Sequence, residues 1–296
     1  MVNIFRRAAI VAGAACAVAI GCAVLPPLTQ NPLYHAFADA RTLYGVPNFW
    51  NVISNVPFFL AALYGLKALR SGTVFGEPWE RVAYCVLLAG TASVGLGSIY
   101  YHLHPDNAHL FWDRLPMTVV FMSLLATTIG ERVGMNAGKS LLLPLLVLGL
   151  GAALCWRFSG DLRLYVVVQF GSMLAVPVLL AVFPPRYTTS DRVWWTIALY
   201  TLAKILELLD REIGSVVATG GHPWKHLAAA GALLVYVRAV AGRRVAWRRH
   251  LCLPRPHSWG RSWLDTMSHA QSVSRRVSTQ QAGVPAPQCE LAGASQ

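Results

Sequence analysis

The feature that most constrains this chain is a series of long apolar runs, separated by short loops rich in Gly, Pro and charge. A helix needs about 20 predominantly apolar residues to cross the hydrocarbon core of a bilayer. Runs of that kind cover approximately residues 49–69, 82–103, 112–129, 140–156, 163–183, 193–213 and 222–241, and another, approximately 8–28, precedes them. They are too long and continuous for the roughly 10-residue alternating strands of a membrane barrel. The pattern predicts an all-α integral membrane protein, a seven-transmembrane-helix bundle with an additional N-terminal apolar helix. Composition agrees: only 13% of residues are charged and mean hydropathy is +0.47, whereas a soluble domain carries about 25% charged residues.

Three segments follow from this patterning: 1–29, an N-terminal anchor helix or signal peptide; 30–245, the seven-helix domain; and 246–296, a tail rich in Ser, Gln, Pro and Arg that reads as disordered. The first run starts after Arg6 and Arg7, as a signal peptide would. No clean A-x-A site precedes Pro26-Pro27, which favours a retained anchor. The net charge of +12 does not point to nucleic acid, because many of the basic residues lie in loops beside apolar runs and in the tail. There they set orientation and meet anionic headgroups, so the expected partners are the lipid bilayer and a membrane lipid substrate. Alternating the spans from a cytoplasmic start collects Lys67, Arg70, Arg81, Arg132, Lys139, Arg186, Arg192, Arg243, Arg244, Arg248 and Arg249 on the cytoplasmic side, leaving Arg41, Arg157, Arg163 and Arg211 outside. The expected setting is a bacterial inner membrane with the tail in the cytoplasm. The six cysteines form no C-x-x-C pair, so a thiolate metal site is not expected.

On this topology the polar residues converge. The span 82–103 runs outward and ends in GLGSIYYHLH, where Ser98 and His102, four apart, share a helix face. The next span begins FWDRLPM and brings Asp113 to the same end across a short loop. The last begins GGHPWKHLAAA, with His222 and His226 again four apart and Pro223 in the first turn. Three imidazoles suit a catalytic zinc, which takes three protein ligands and keeps a fourth position for water. Zinc lowers the pKa of that water toward about 7. Asp113 would orient or deprotonate the water, and Ser98 would hydrogen-bond the developing oxyanion. The active site then faces the non-cytoplasmic side.

Each residue also has a plainer reading. A histidine at a span end is more often an interfacial hydrogen-bonder, the reading given to His35, His104, His109, His250, His257 and His269. His104 is the rival to His102 and lacks its helical relation to Ser98. Asp113 has Arg114 beside it and, on the plain reading, pairs with it. Lys204, Glu207 and Asp210 form a polar stripe in span 193–213. A lone charge within a span costs about 2.5–3.5 kcal/mol on insertion scales, so the stripe reads as an internal Lys204–Glu207 ion pair or as a wall of the substrate cavity. Asn48, Asn51, Ser54 and Asn55, in PNFWNVISNVPF, read as interhelical hydrogen-bonders.

Over about residues 30–245 the chain resembles the alkaline ceramidases, within the CREST superfamily of seven-helix membrane hydrolases that also holds the adiponectin receptors. The resemblance rests on Ser98-x3-His102, Asp113 beyond it and the late His222-x3-His226, with the asparagine-rich entry and the Lys204/Glu207/Asp210 face as flanking text. It implies zinc on His102, His222 and His226, with Asp113 and Ser98 beside the metal-bound water. It further implies cleavage of a ceramide-like amide to fatty acid and sphingoid base. Animal members carry an acidic, Trp-rich stretch associated with calcium. Here the corresponding TQNPLYHAFADARTLYGVP has Asp39 as its one acid, thin for a cation that takes about 6–8 oxygen ligands. The alternative from another class is a receptor-like, lipid-sensing protein with a structural metal. A structural zinc usually has four protein ligands, and three histidines beside a base favour the enzyme.

Overall fold

The computed structural model describes residues 13, 20, 21, 24–70 and 75–245. Most of the first apolar run and all of the tail beyond 245 lie outside the described residues. The expectations of an N-terminal anchor helix and a disordered tail therefore fall outside them too. Among the described residues there is no strand, and every long apolar run is helical.

The helices are α1 (Phe49–Ile53), α2 (Val56–Arg70), α3 (Pro78–Leu103), α4 (Asn107–Arg132), α5 (Met135–Ser159), α6 (Arg163–Val166), α7 (Ser172–Val182), α8 (Val193–Leu208), α9 (Asp210–Gly214) and α10 (His222–Ala241). A single π turn, Val167–Gly171, joins α6 to α7. Five segments are long and apolar enough to cross a membrane: Phe49–Arg70, Pro78–Leu103, Asn107–Arg132, Met135–Ser159 and Arg163–Val182. The two remaining expected spans are helical but are not among these five. α8 has 16 residues and carries Lys204 and Glu207, and α10 carries Lys225 and Arg238.

Neighbouring helices pack in a ring, α3–α2–α10–α8–α7–α4, with α5 outside against α4. The ring has two chemically distinct ends. At one, α3 starts with Glu77 and Glu80 in a reciprocal capping box behind Pro78. Buried Glu80 also accepts from the Tyr187 hydroxyl at 2.9 Å and from Arg243 Nη2 at 3.1 Å. Arg132 Nη1 donates to the Phe183 carbonyl at 2.9 Å, so the ends of α4, α7 and α10 and the start of α3 are tied together. Between the ends, Leu60, Leu63, Leu96, Leu143, Val147 and Leu174 point outward and exposed, as a lipid-facing surface requires.

The opposite end gathers the close of α3 and the starts of α4, α6 and α10. Asn48 leads into α1 in a left-handed conformation (φ 49°), a turn Asn tolerates better than most residues. Its side-chain amide donates to the His102 carbonyl at 2.8 Å, fastening α1 to the last turn of α3. Two boundaries differ from expectation. α4 starts at Asn107, capped by Asp106, so Asp113 sits in its second turn rather than at its mouth. The run expected to continue from 193 to 213 stops at Leu208, and Asp210 opens a separate short helix.

Candidate metal centre

The last turn of α3 and the first turn of α10 bring three imidazoles together. His102, His222 and His226 are all buried, and one ligand nitrogen from each lies within 4.8 Å of the others. Their ring centroids are 4.9 Å (102–222), 5.0 Å (102–226) and 5.0 Å (222–226) apart, each pair edge-on. Two of their nitrogens, Nε2 of His222 and Nδ1 of His102, are buried with no hydrogen-bond partner. Nε2 of His102 and Nε2 of His226 meet at 3.4 Å. In a tetrahedral site with bonds of about 2.0–2.1 Å, two nitrogen ligands stand about 3.3 Å apart. The donor set, the orphaned Nε2 of His222 and this spacing together fit a metal such as zinc.

The tautomer of His226 is set by the residue that caps the C-terminal end of α1. Ser54 Oγ donates to the Asn51 carbonyl at 3.1 Å, so it accepts from Nδ1–H of His226 at 2.8 Å. That leaves the His226 lone pair on Nε2, toward the other two rings. Ser54 belongs to the stretch read as interhelical hydrogen-bonding. That reading holds for Asn48, and for Ser54 the partner is a candidate ligand. Asp210 fixes His222: Oδ1 accepts its backbone N–H at 2.8 Å, and Oδ2 accepts the N–H of Ala38 at 2.9 Å. Asp210 thus leaves the Lys204/Glu207 stripe altogether. Phe37 closes the triangle from above, its ring 4.8 Å from His102 and 4.6 Å from His222. Ser54 and Asp210 stand in stretches already marked as polar; nothing in the spacing singled out Phe37.

Ser98 and Asp113 are both buried beside this cluster. Ser98 Oγ lies 3.5 Å from His226 Nε2, within hydrogen-bonding reach of the Asp113 carboxyl as well. Gly97 makes this approach possible: it packs directly on the Trp112 carbonyl, leaving no room for a Cβ. Arg114 does not pair with Asp113 as the plain reading had it. Its guanidinium lies over the rings of Tyr34 (5.2 Å), Trp156 (4.5 Å) and Tyr165 (5.0 Å).

His104 is exposed at the C-cap of α3, against the ring of His109, and is no part of the cluster. His35 bonds the Tyr101 hydroxyl at 2.9 Å. His250, His257 and His269 lie outside the described residues. Asp39 is engaged by Arg41 through Oδ1 at 2.7 Å and Oδ2 at 2.9 Å, which holds its carboxyl below the usual range.

The cluster opens on a cavity of about 510 Å³. Ser98, Asp113 and His226 line it together with apolar residues that include Phe58, Val94, Leu124, Val176 and Leu233. Glu207 stands in the polar wall, bonded by Lys204, by Lys225 Nζ at 2.7 Å and by the Tyr34 hydroxyl at 2.8 Å. Burial and the Glu207 charge push the Tyr34 phenol well above its usual range, so it remains a donor. The expected Lys204–Glu207 pair therefore exists and is also part of the cavity wall. A mostly apolar lining with a few polar groups suits an amphiphilic guest.

Comparison with curated proteins returns no match. A family model described as Ceramidase matches residues 42–245, a stretch that contains all three histidines, Ser98 and Asp113. With that match over more than half its length, the chain belongs to the ceramidase family.

Proposed function

We propose that this protein is a zinc-dependent intramembrane amidohydrolase that cleaves a ceramide-like lipid to a fatty acid and a sphingoid base. Membership of the ceramidase family supports hydrolysis of a ceramide amide. The observation that carries the finer reading is the buried three-histidine triangle, which reaches a mostly apolar cavity through His226. His102, His222 and His226 would hold the metal. Zinc, when bound, supplies Lewis acidity that polarises a carbonyl and makes water acidic enough to react near neutral pH.

The remaining steps belong to the chain's own residues. The cavity takes the acyl chain and so presents the amide at the level of Ser98 and Asp113. Asp113 takes the proton from the attacking water and later returns it to the departing amine nitrogen, as a general base and then a general acid. Ser98 donates to the oxygen of the developing oxyanion. Phe37 covers the triangle and limits bulk water there. In this reading seven helices cross the bilayer, with α8 and α10 as the sixth and seventh: Lys204, Glu207 and Lys225 turn to the cavity, and Arg238 lies exposed in the last turn of α10. Basic loops on the Glu80 side support an orientation with the metal toward the non-cytoplasmic face.

The test is metal analysis of the purified protein alongside fatty acid release from a panel of lipid amides. The expected outcome is one zinc per chain and release from a ceramide. Replacing His102, His222 or His226 with Ala should strongly reduce metal content, while His104→Ala retains it. Stoichiometric zinc in all three variants would remove the assignment.

A further inference from the structure

Arg114 is only 7% exposed and lines the cavity, yet it makes no ion pair or hydrogen bond with any described residue. Its Nη1 is buried without a partner. Tyr34, Trp156 and Tyr165 surround the guanidinium with ring faces. They hold a flat cation in place and offer it no anion. Burying a charge in apolar surroundings is unfavourable unless something opposite in sign meets it. The neighbouring Asp113 acts on it through space only. Glu207, the other carboxylate lining the cavity, is already held by Lys204, Lys225 and Tyr34. The cavity wall therefore carries three cations, Arg114, Lys204 and Lys225, against two carboxylates.

We infer that Arg114 is an anion-recognition residue of the lipid cavity: its free guanidinium edge takes a carboxylate or phosphate oxygen pair carried by the bound lipid. A guanidinium presents its N–H groups as a planar fork that matches such oxygens two at a time. The anion has two possible sources with this chemistry, the carboxylate that hydrolysis leaves on the acyl chain and an acidic headgroup on the substrate. The inference rests on the proposed function only in taking an acyl lipid as the guest, and binding can be read without turnover.

The experiment compares wild type with Arg114→Gln and Arg114→Lys. In the first arm, palmitic acid and hexadecanol each displace a fluorescent acyl probe. In the second, a ceramide and the same ceramide bearing a phosphate monoester compete for the probe. Affinity for the neutral lipid reports whether each variant is folded, so the readout is the anionic-to-neutral ratio. A buried charge-assisted hydrogen bond corresponds to roughly a 10- to 100-fold change. The expected result is an anionic preference in wild type that falls by about that factor in Arg114→Gln and is only partly retained in Arg114→Lys, which keeps the charge and loses the fork. A fall in the first arm alone assigns the acyl carboxylate, and in the second alone the headgroup. Equal losses for anionic and neutral lipids in both arms, or none, would overturn the inference. Absence of amide cleavage alongside an intact ratio shift would instead count against the hydrolase reading and leave Arg114 in place.

Discussion

At the scale of single residues, the proposed mechanism divides labour between groups that hold and a group that moves a proton. Asp113→Asn keeps the shape of the side chain and cannot accept a proton. It should retain zinc and lose roughly 10²–10⁴-fold in turnover, the usual contribution of a general base. Zinc occupancy and fatty acid release measured on the same sample check this. An active Asp113→Asn protein would take the residue out of the mechanism. Ser54 has the converse signature. Without its oxygen, Nδ1–H of His226 loses its acceptor and the ring is free to flip. Ser54→Ala should weaken metal affinity by roughly 10- to 100-fold, as loss of an outer hydrogen-bond partner does, and chelator competition measures it. Of the candidate residues, Ser98 with His102 and His222 with His226 were legible from four-residue spacings at span ends, and Asp113 from the short loop that returns it to the same end. Phe37 and Asp210 were not, since they reach the site from connecting segments whose path depends on contacts far along the chain.

At the scale of elements, apolar run length located the helices well and their interruptions poorly. Leu209, where α8 ends, is flanked by Leu208 and Asp210 and carries no Gly or Pro signal. The helix stops there because Asp210 gains two backbone donors by leaving it. The π turn at Val167–Gly171 is equally silent in composition, yet it presents Gln169 to the cavity wall and to the Tyr200 hydroxyl at 3.0 Å. The α3–α4 contact is the element-level feature most open to test. A methyl at Gly97 meets the backbone of α4, which no rotamer change relieves. Gly97→Ala should destabilise the bundle by about 1–3 kcal/mol, the range for overpacked contacts, and should lower activity by moving Asp113 from Ser98. Gly151, with nothing near its ideal Cβ, is the control. Its change to Ala should be neutral or stabilise by up to ~1 kcal/mol. Thermal unfolding in detergent ranks the two, and equal behaviour would contradict the packing account.

At the scale of the whole molecule, the ring of helices has an ion-paired end around Glu80 and a metal-competent end around His102. The proposed orientation puts the first in the cytoplasm. Reporter fusions at Asp161 should therefore report the outside and fusions after Arg244 the inside. The reverse pattern would invert the topology. The metal-competent end also has an order in time. Phe37 and Ala38 are made early, His102 midway, and Asp210, His222 and His226 late, and the same few ångströms need all of them. On the proposed reading, a ribosome delivering this chain releases much of the cavity wall before the three histidines can capture a metal. The nascent protein then stays inert toward lipid until α10 arrives, and hydrolysis waits on the last of the described helices to be made.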